Sequence, residues 1–197
     1  MISNVISIEN MLDSYGEEAT VALLSSFSCV RDSIQKNEEV ETFVKKNVID
    51  FFKRKLAVTY LVFDENSDFV GIYTLAHKAI DIPADRLNAK LKNKVKRYAR
   101  LDEERQTYSV SAFLIAQFGK NYEGNKGRTL SGRELMDSAL DMLSAAQAIV
   151  SGGLIFLDCE KDNTVALELY RECGFVPFGE RKSESDGHHY IQLLKGF

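Results

Sequence analysis

Cysteine and histidine are scarce in this 197-residue chain, and long apolar runs are missing altogether. Each shortage closes a route. The three cysteines, Cys29, Cys159 and Cys173, are an odd set without CxxC spacing, which signals neither a disulfide framework nor a zinc site. They read as reduced thiols in or near the core. The histidines are His77 and the adjacent pair His188 and His189. Neighbours on a strand point to opposite faces, so that pair does not chelate simply, and no metal is expected. No apolar stretch approaches the roughly 20 residues that cross a bilayer. The start, MISNVISIENML, lacks the basic opening and small-residue cleavage site of a secretory signal. The expected address is the cytoplasm, with no membrane partner. Nor is there a basic excess: 25 Lys and Arg against 29 Asp and Glu leave a net charge of -4, which argues against a dedicated nucleic-acid binder.

What is present suits one soluble domain over residues 1–197, long enough for a sizeable core and short for two. A content of 45% hydrophobic and 27% charged residues excludes disorder. EEATVALLSSFS (17–28) predicts a first helix, and EEVETFVKKNVIDFFKRKL (38–56) a second, with acids early and bases late to suit the dipole. The period then changes. VTYLVF (58–63), the polar turn DENSD (64–68) and FVGIYTLAHKAI (69–80) predict an antiparallel hairpin. RLNAKLKNKVKRYAR (86–100) is strongly basic and reads as a solvated face or as a local phosphate-binding patch. TYSVSAFLIAQF (107–118) is apolar enough for the middle of a sheet. After it come the Gly-, Asn- and Lys-dense GKNYEGNKGRTLSG (119–132), a long helix (133–150), and the SGG stop at 151–153. LIFLDC (154–159) predicts a strand, NTVALELYRECGF (163–175) a short helix closed by Gly174, and FVPF (175–178) and HYIQLLK (189–195) two last strands around a polar loop (179–188).

The fold class is therefore α+β: a mixed, mostly antiparallel central sheet flanked by helices, with one βαβ crossover and a glycine-rich loop between the central strand and the long helix. Such a loop is a physical anion site, because free amides at the helix start and the helix dipole both favour negative charge. The candidate amides run from Arg128 to Arg133, reinforced by Lys126, Arg128 and Arg133, with Ser131 as hydroxyl donor or N-cap. On its own the loop reads equally as a polar connection. It is neither a P-loop nor GxGxxG, which leaves ATP and NAD without support.

Asn163, Ala166, Leu169, Tyr170, Gly174 and Phe175 stand at the spacing Asn, then A-x-x-L-Y-x-x-x-G-F, after an apolar strand. In this the chain resembles the GCN5-related N-acetyltransferase (GNAT) superfamily. The order of elements extends the resemblance over nearly the whole sequence. Within it the layout is similar to the branch of toxins that acetylate aminoacyl-tRNA: FSC at 27–29, an amphipathic helix, AVTYLVFDENSDFVGIYTLAHKAI, SVSAFLIAQFGKN, then a helix followed by two glycines. Gln117 stands where that branch usually has arginine. In the pyrophosphate motif Gly132 takes the final glycine's place, while Leu130 and Gly127 replace a glycine and the leading Gln or Arg.

The resemblance implies transfer of an acetyl group from acetyl-CoA, as co-substrate, to a primary amine. Phe118, Gly119 and Lys120 would offer main-chain groups to pantetheine as an added strand does. Lys126, Arg128, Leu130, Ser131, Gly132 and Arg133 would hold the pyrophosphate, and Asn163 would bond the cofactor or fix the strand–helix turn. Tyr170 would protonate the departing thiolate. A phenol of pKa about 10 is neutral at pH 7 and can act toward a thiolate whose conjugate acid is near 8.5. Asp158 and Glu160 stand where a base could sit, and read equally as charged residues beside a turn. The acceptor is a small-molecule or macromolecular amine, with tRNA a candidate through the basic segment and the loop lysines. A domain of this shape that binds acyl-CoA or a protein without catalysis is the reading from another class. A homodimer is compatible with each.

Overall fold

In the computed structural model, which describes residues 1–183 and 187–197, the N-terminal stretch is not a bare lead-in but a strand, β1 (Ile2–Ser7). It is followed by α1 (Ile8–Ser25), a small hairpin of β2 (Val30–Arg31) and β3 (Ile34–Gln35), α2 (Glu38–Lys46), α3 (Val48–Lys53), β4 (Val58–Asp64) and β5 (Phe69–Pro83). Then come α4 (Ala89–Val95), β6 (Leu101–Asp102), β7 (Thr107–Lys120), α5 (Gly132–Val150), β8 (Leu154–Glu160), α6 (Thr164–Glu172), β9 (Val176–Lys182) and β10 (His189–Gly196). The class is α+β. The main sheet is mixed and mostly antiparallel, in the order β1-β4-β5-β7-β8-β10-β9, with β6 on β7. The chain falls into two compact units, Met1–Ala76 with Ala116–Ala139, and His77–Ile115 with Leu140–Phe197.

In the first unit α1 begins nine residues earlier than its periodicity suggests. Ser7 caps it, its hydroxyl accepting from the Asn10 amide at 3.1 Å. Gly16, at φ +79°, then kinks it, which is why only the stretch beyond the glycine carries a clean helical pattern. The single helix expected over 38–56 is two. Asn37 caps α2, Glu38, Glu39 and Glu41 lie in its first turn, and Asn47 closes α2 and opens α3. Ile8, Leu24, Phe27, Val40, Val44, Val48, Leu61 and Ile72 make the core between these helices and the β4–β5 hairpin. The DENSD turn forms as expected: the Asp64 carboxylate accepts from the amides of Asn66 (2.9 Å) and Asp68 (3.0 Å), an Asx turn that seats this acid with little exposure.

In the second unit β7 and β8 run parallel through the pairs Phe113↔Ile155 and Leu114↔Phe156, and β10 lies antiparallel between β8 and β9. Helix α5 stops at SGG because Ser151 and Gly152 both take positive φ, and Gln147 Nε2 ties the stop by donating to the Gly152 carbonyl at 2.7 Å. The basic segment folds as α4, with Leu91 and Val95 buried beside Ile82, Tyr108 and Phe156 and with lysines on its other faces. Strand β9 continues to Lys182, past the short strand expected at 175–178. Of the polar loop expected at 179–188, residues 184–186 lie outside the described residues.

Candidate functional site

The candidates divide between the two units. In the first, the end of β7 and the loop after it are built around a residue the sequence reading passed over, Asn121. Its side chain is wholly buried and fully used: Oδ1 accepts from the amides of Ser28 (3.0 Å) and Glu123 (3.1 Å), and Nδ2 donates to the Phe69 carbonyl (2.8 Å). Its own amide donates to Val70 O, and its carbonyl accepts from the Gly127 amide. Only glycine fits at 127, because a Cβ there would collide with the Asn121 carbonyl. A 3-10 stretch, Glu123–Arg128, thus replaces the open loop that the composition suggests. A signal was available in the polar Asn of GKNYEG, directly after a buried strand.

Gly119 has no Cβ to meet Val40, whose Cγ1 would be 2.9 Å away, so this glycine serves helix packing. Phe118 is half-buried beside it. The Lys120 ammonium donates to the Leu130 carbonyl at 2.8 Å and lies 5.5 Å from the Tyr122 ring centre, and so ties the strand end to the far side of the loop. Leu130 itself is buried, its side chain packed on Gly71, which leaves only its main chain for a ligand.

The start of α5 at Gly132 is closed reciprocally. The Ser131 hydroxyl accepts from the Glu134 amide at 3.0 Å, while the Glu134 carboxylate accepts from the Ser131 amide at 2.9 Å. This is the capping box written in the sequence as Ser-x-x-Glu. The bond from the Ser131 amide holds the Glu134 carboxyl below the usual range, with the Ser131 hydroxyl adding to it. Here a carboxylate already sits on the Ser131 amide, which a phosphate could use.

The three cations assigned to the loop are also engaged. Lys126 pairs with Glu123 at 3.0 Å. Arg128 Nε donates to Asn125 at 2.7 Å, and its guanidinium forms a very short pair with Asp32, whose carboxyl that bond holds below its ordinary value. Arg133 Nε donates to both Asp137 oxygens, at 3.0 and 3.1 Å. Solvent screens exposed pairs of this kind, so each adds little, and an anion with two or more charges can compete for such a cation.

The second unit holds the tyrosine. Asn163 caps α6, its side chain accepting from the Ala166 amide at 3.1 Å, so it fixes the strand–helix turn. Tyr170 follows two turns on, almost wholly buried, with its ring 6.2 Å from that of Phe175, whose amide donates to the Tyr170 carbonyl at 3.0 Å. Burial pushes the phenol above its ordinary value, and the neighbouring Cys159 and Cys173 add to the shift. All three cysteines are buried and outside any disulfide. Burial also pushes the Cys159 thiol up to about 12, with Glu160 and Asp158 contributing. A thiol so protonated is no nucleophile. Of the acids beside β8, Asp158 is bonded through Oδ2 to Arg181 at 2.8 Å while its Oδ1 is buried without a hydrogen-bond partner among the described residues. Glu160 meets His188 at 3.2 Å. His77 is exposed on β5, its Nδ1 3.0 Å from the Ser111 hydroxyl and its ring against Phe113. Among the described residues no cluster of His, Cys, Asp and Glu could hold a metal, and no helix is long and apolar enough to cross a membrane.

This order of strands, with a capped loop and helix after β7 and a tyrosine-bearing helix after β8, is the layout of the GNAT fold. No protein-family model matches the chain, and no curated protein does. Solved structures do. A tyrosine-to-phenylalanine mutant of the toxin KacT superposes with a TM-score of 0.63 at 16% identity, over 98% of this chain and 94% of that one. AtaTR bound with AcCoA gives 0.57 at 16% over 98% and 92%. AtaT complexed with acetyl-methionyl-tRNAfMet gives 0.58 at 18% over 88% and 86%. At these identities the likeness shows the fold.

Proposed function

We propose that residues 1–197 form one acetyltransferase domain that transfers the acetyl group of acetyl-CoA to a primary amine in the cytoplasm, with Tyr170 as general acid. The observation that carries this reading is the placement of Tyr170, buried on a helix capped by Asn163. It stands in a chain whose fold matches, over 98% of its length, that of AtaTR bound with AcCoA. Acetyl-CoA supplies an activated acyl thioester. Tyr170 Oη holds the proton that the leaving sulfur requires, and burial keeps that proton in place across the physiological range. Main-chain groups of Phe118, Gly119, Lys120, Leu130 and Gly132, with Lys126, Arg128, Ser131 and Arg133, supply the donors for pantetheine and pyrophosphate. No metal takes part, and no cysteine forms a covalent intermediate.

The amine favoured is the α-amino group of an aminoacyl-tRNA. Two observations support that acceptor: AtaT has been seen with acetyl-methionyl-tRNAfMet, and this acidic chain gathers Arg86, Lys90, Lys92, Lys94, Lys96, Arg97 and Arg100 into one segment without an acid among them.

Calorimetry tests the first part. Acetyl-CoA should bind with a Kd in the micromolar range, and a chain that does not bind it is no acetyltransferase but a silent domain of the same shape. Tyr170→Phe should slow turnover by about 100-fold or more while sparing acetyl-CoA affinity. An unchanged rate removes the general-acid role. Growth arrest on expression, relieved by Tyr170→Phe, supports the tRNA acceptor.

A further inference from the structure

We propose that a cleft between α4, the turn after α6 and β10 holds a phosphate of the RNA backbone, apart from the residues assigned to acetyl transfer. The cleft has a volume of about 230 Å³ and an apolar floor of Leu91, Val176 and Leu194. Its polar lining is one-sided. Lys90, Lys94 and Lys195 line it beside Asn88, and no carboxylate does among the described residues.

These lysines are placed rather than strewn. Lys195 Nζ donates to the Cys173 carbonyl at 2.9 Å and would sit 3.0 Å from a Cβ at Gly174, so the glycine leaves room for the ammonium. Lys94 Nζ donates to the main-chain oxygen of Phe197 at 2.9 Å, and its stem lies where a Cβ at Gly196 would be. Gly174 and Gly196 thus leave the backbone bare where these two ammonium groups are held.

An ammonium has three donors, and each of the two held lysines uses one on a main-chain oxygen. The rest remain for a ligand. Lys90 has no ion-pair partner among the described residues, in contrast to Lys126, Arg128 and Arg133 in the other unit, each of which sits on a carboxylate. Like charges gathered in one cleft repel, and a phosphodiester relieves that repulsion. The apolar floor suits a ribose lying beside the phosphate. This assignment rests on the aminoacyl-tRNA reading, since it names where that acceptor's backbone is held.

The test is fluorescence anisotropy of fluorescein-labelled, unacylated tRNA with the full chain across a salt series, with acetyl-CoA affinity measured in parallel. The wild type should bind, and its log K should fall linearly with log salt. Lys90→Glu, at an exposed residue that holds nothing else in place, should weaken tRNA binding about 5-fold or more and flatten the slope by about 1, leaving acetyl-CoA affinity and melting temperature unchanged. Lys90→Glu with Lys195→Glu should lose more. Unchanged affinity and slope in Lys90→Glu overturn the cleft. A wild type that binds inorganic pyrophosphate there but no tRNA overturns the RNA assignment in favour of a free anion. A wild type that binds acetyl-CoA but not tRNA overturns this proposal alone, whereas failure to bind acetyl-CoA overturns the acetyltransferase reading itself.

Discussion

Tyr170 carries a tension between its two jobs as a buried aromatic and as an acid. Burial that raises the phenol makes it a weaker donor, yet the same dry surroundings penalise a bare thiolate, so the proton still has reason to move. The consequence for pH is specific. A group whose folded pKa is raised contributes stability that is complete below its unfolded pKa and lost as pH climbs beyond it. For Cys29 and Cys159, both pushed up to about 12 by burial, the loss starts near their ordinary value of 9.0; for Tyr170 it starts near 10.0. Urea midpoints should therefore fall progressively above pH 9, and Tyr170→Phe should blunt the fall only above pH 10. Turnover, in contrast, should show no basic limb from Tyr170 up to pH 10, since the phenol keeps its proton. A rate that drops around pH 8, with the drop absent from the Tyr170→Phe profile, assigns the acid a lowered pKa and contradicts the burial argument. At the same scale, Asn121→Ala strands a buried carbonyl and two part-buried amides and should cost about 1–3 kcal/mol in urea unfolding.

At the scale of elements, the start of α5 decides how the loop works. The capping box stabilises the helix, and it also parks a carboxylate on the Ser131 amide, one of the donors proposed for pyrophosphate. Glu134→Gln keeps a side chain able to accept the Ser131 amide while removing the charge. It should melt within a few degrees of wild type and bind acetyl-CoA more tightly; weaker binding would mean that Glu134 orients the loop for its ligand. Gly127→Ala should do harm of another kind, forcing the Asn121 carbonyl aside and costing about 1–3 kcal/mol with loss of acetyl-CoA affinity. How much of this was legible follows from periodicity and from reach. Helix α5, β8 and α6 were readable to within a residue or two because each is one uninterrupted pattern bounded by a cap or a glycine. Helix α1 was half-hidden by Gly16, the α2–α3 break by Asn47, and β1 by its half-exposed, irregular alternation. In the loop, Ser131 was readable as an N-cap, whereas the Glu134 that completes the box with it was passed over. The partners of Arg128 and Asn121 were not readable, because Asp32 lies 96 residues from Arg128 in the chain, and Ser28 lies 93 from Asn121. Local spacing identifies which residues could bind an anion; only tertiary pairing says what already occupies them.

At the scale of the whole chain, the proposal of one domain makes a thermodynamic demand. The residues divide into two compact units, and the proposed donors come from the first while Tyr170 and Asn163 come from the second. If residues 1–197 unfold as one cooperative body, a ligand that binds only the folded state stabilises all of it by RT ln(1 + [L]/Kd), about 2.7 kcal/mol at a hundredfold excess over Kd. For a chain of this length each kcal/mol moves the melting temperature by about 2–4 °C. Saturating acetyl-CoA should thus raise a single calorimetric transition by roughly 5–10 °C, with the calorimetric and van't Hoff enthalpies equal. Two transitions, of which acetyl-CoA moves one and leaves the other in place, would divide the chain into separate folding domains and confine the cofactor to whichever unit moved. Repeating the melt with Tyr170→Phe then separates binding from chemistry: an undiminished shift in a variant that no longer turns over assigns the hydroxyl to proton transfer and the rest of the chain to holding the thioester.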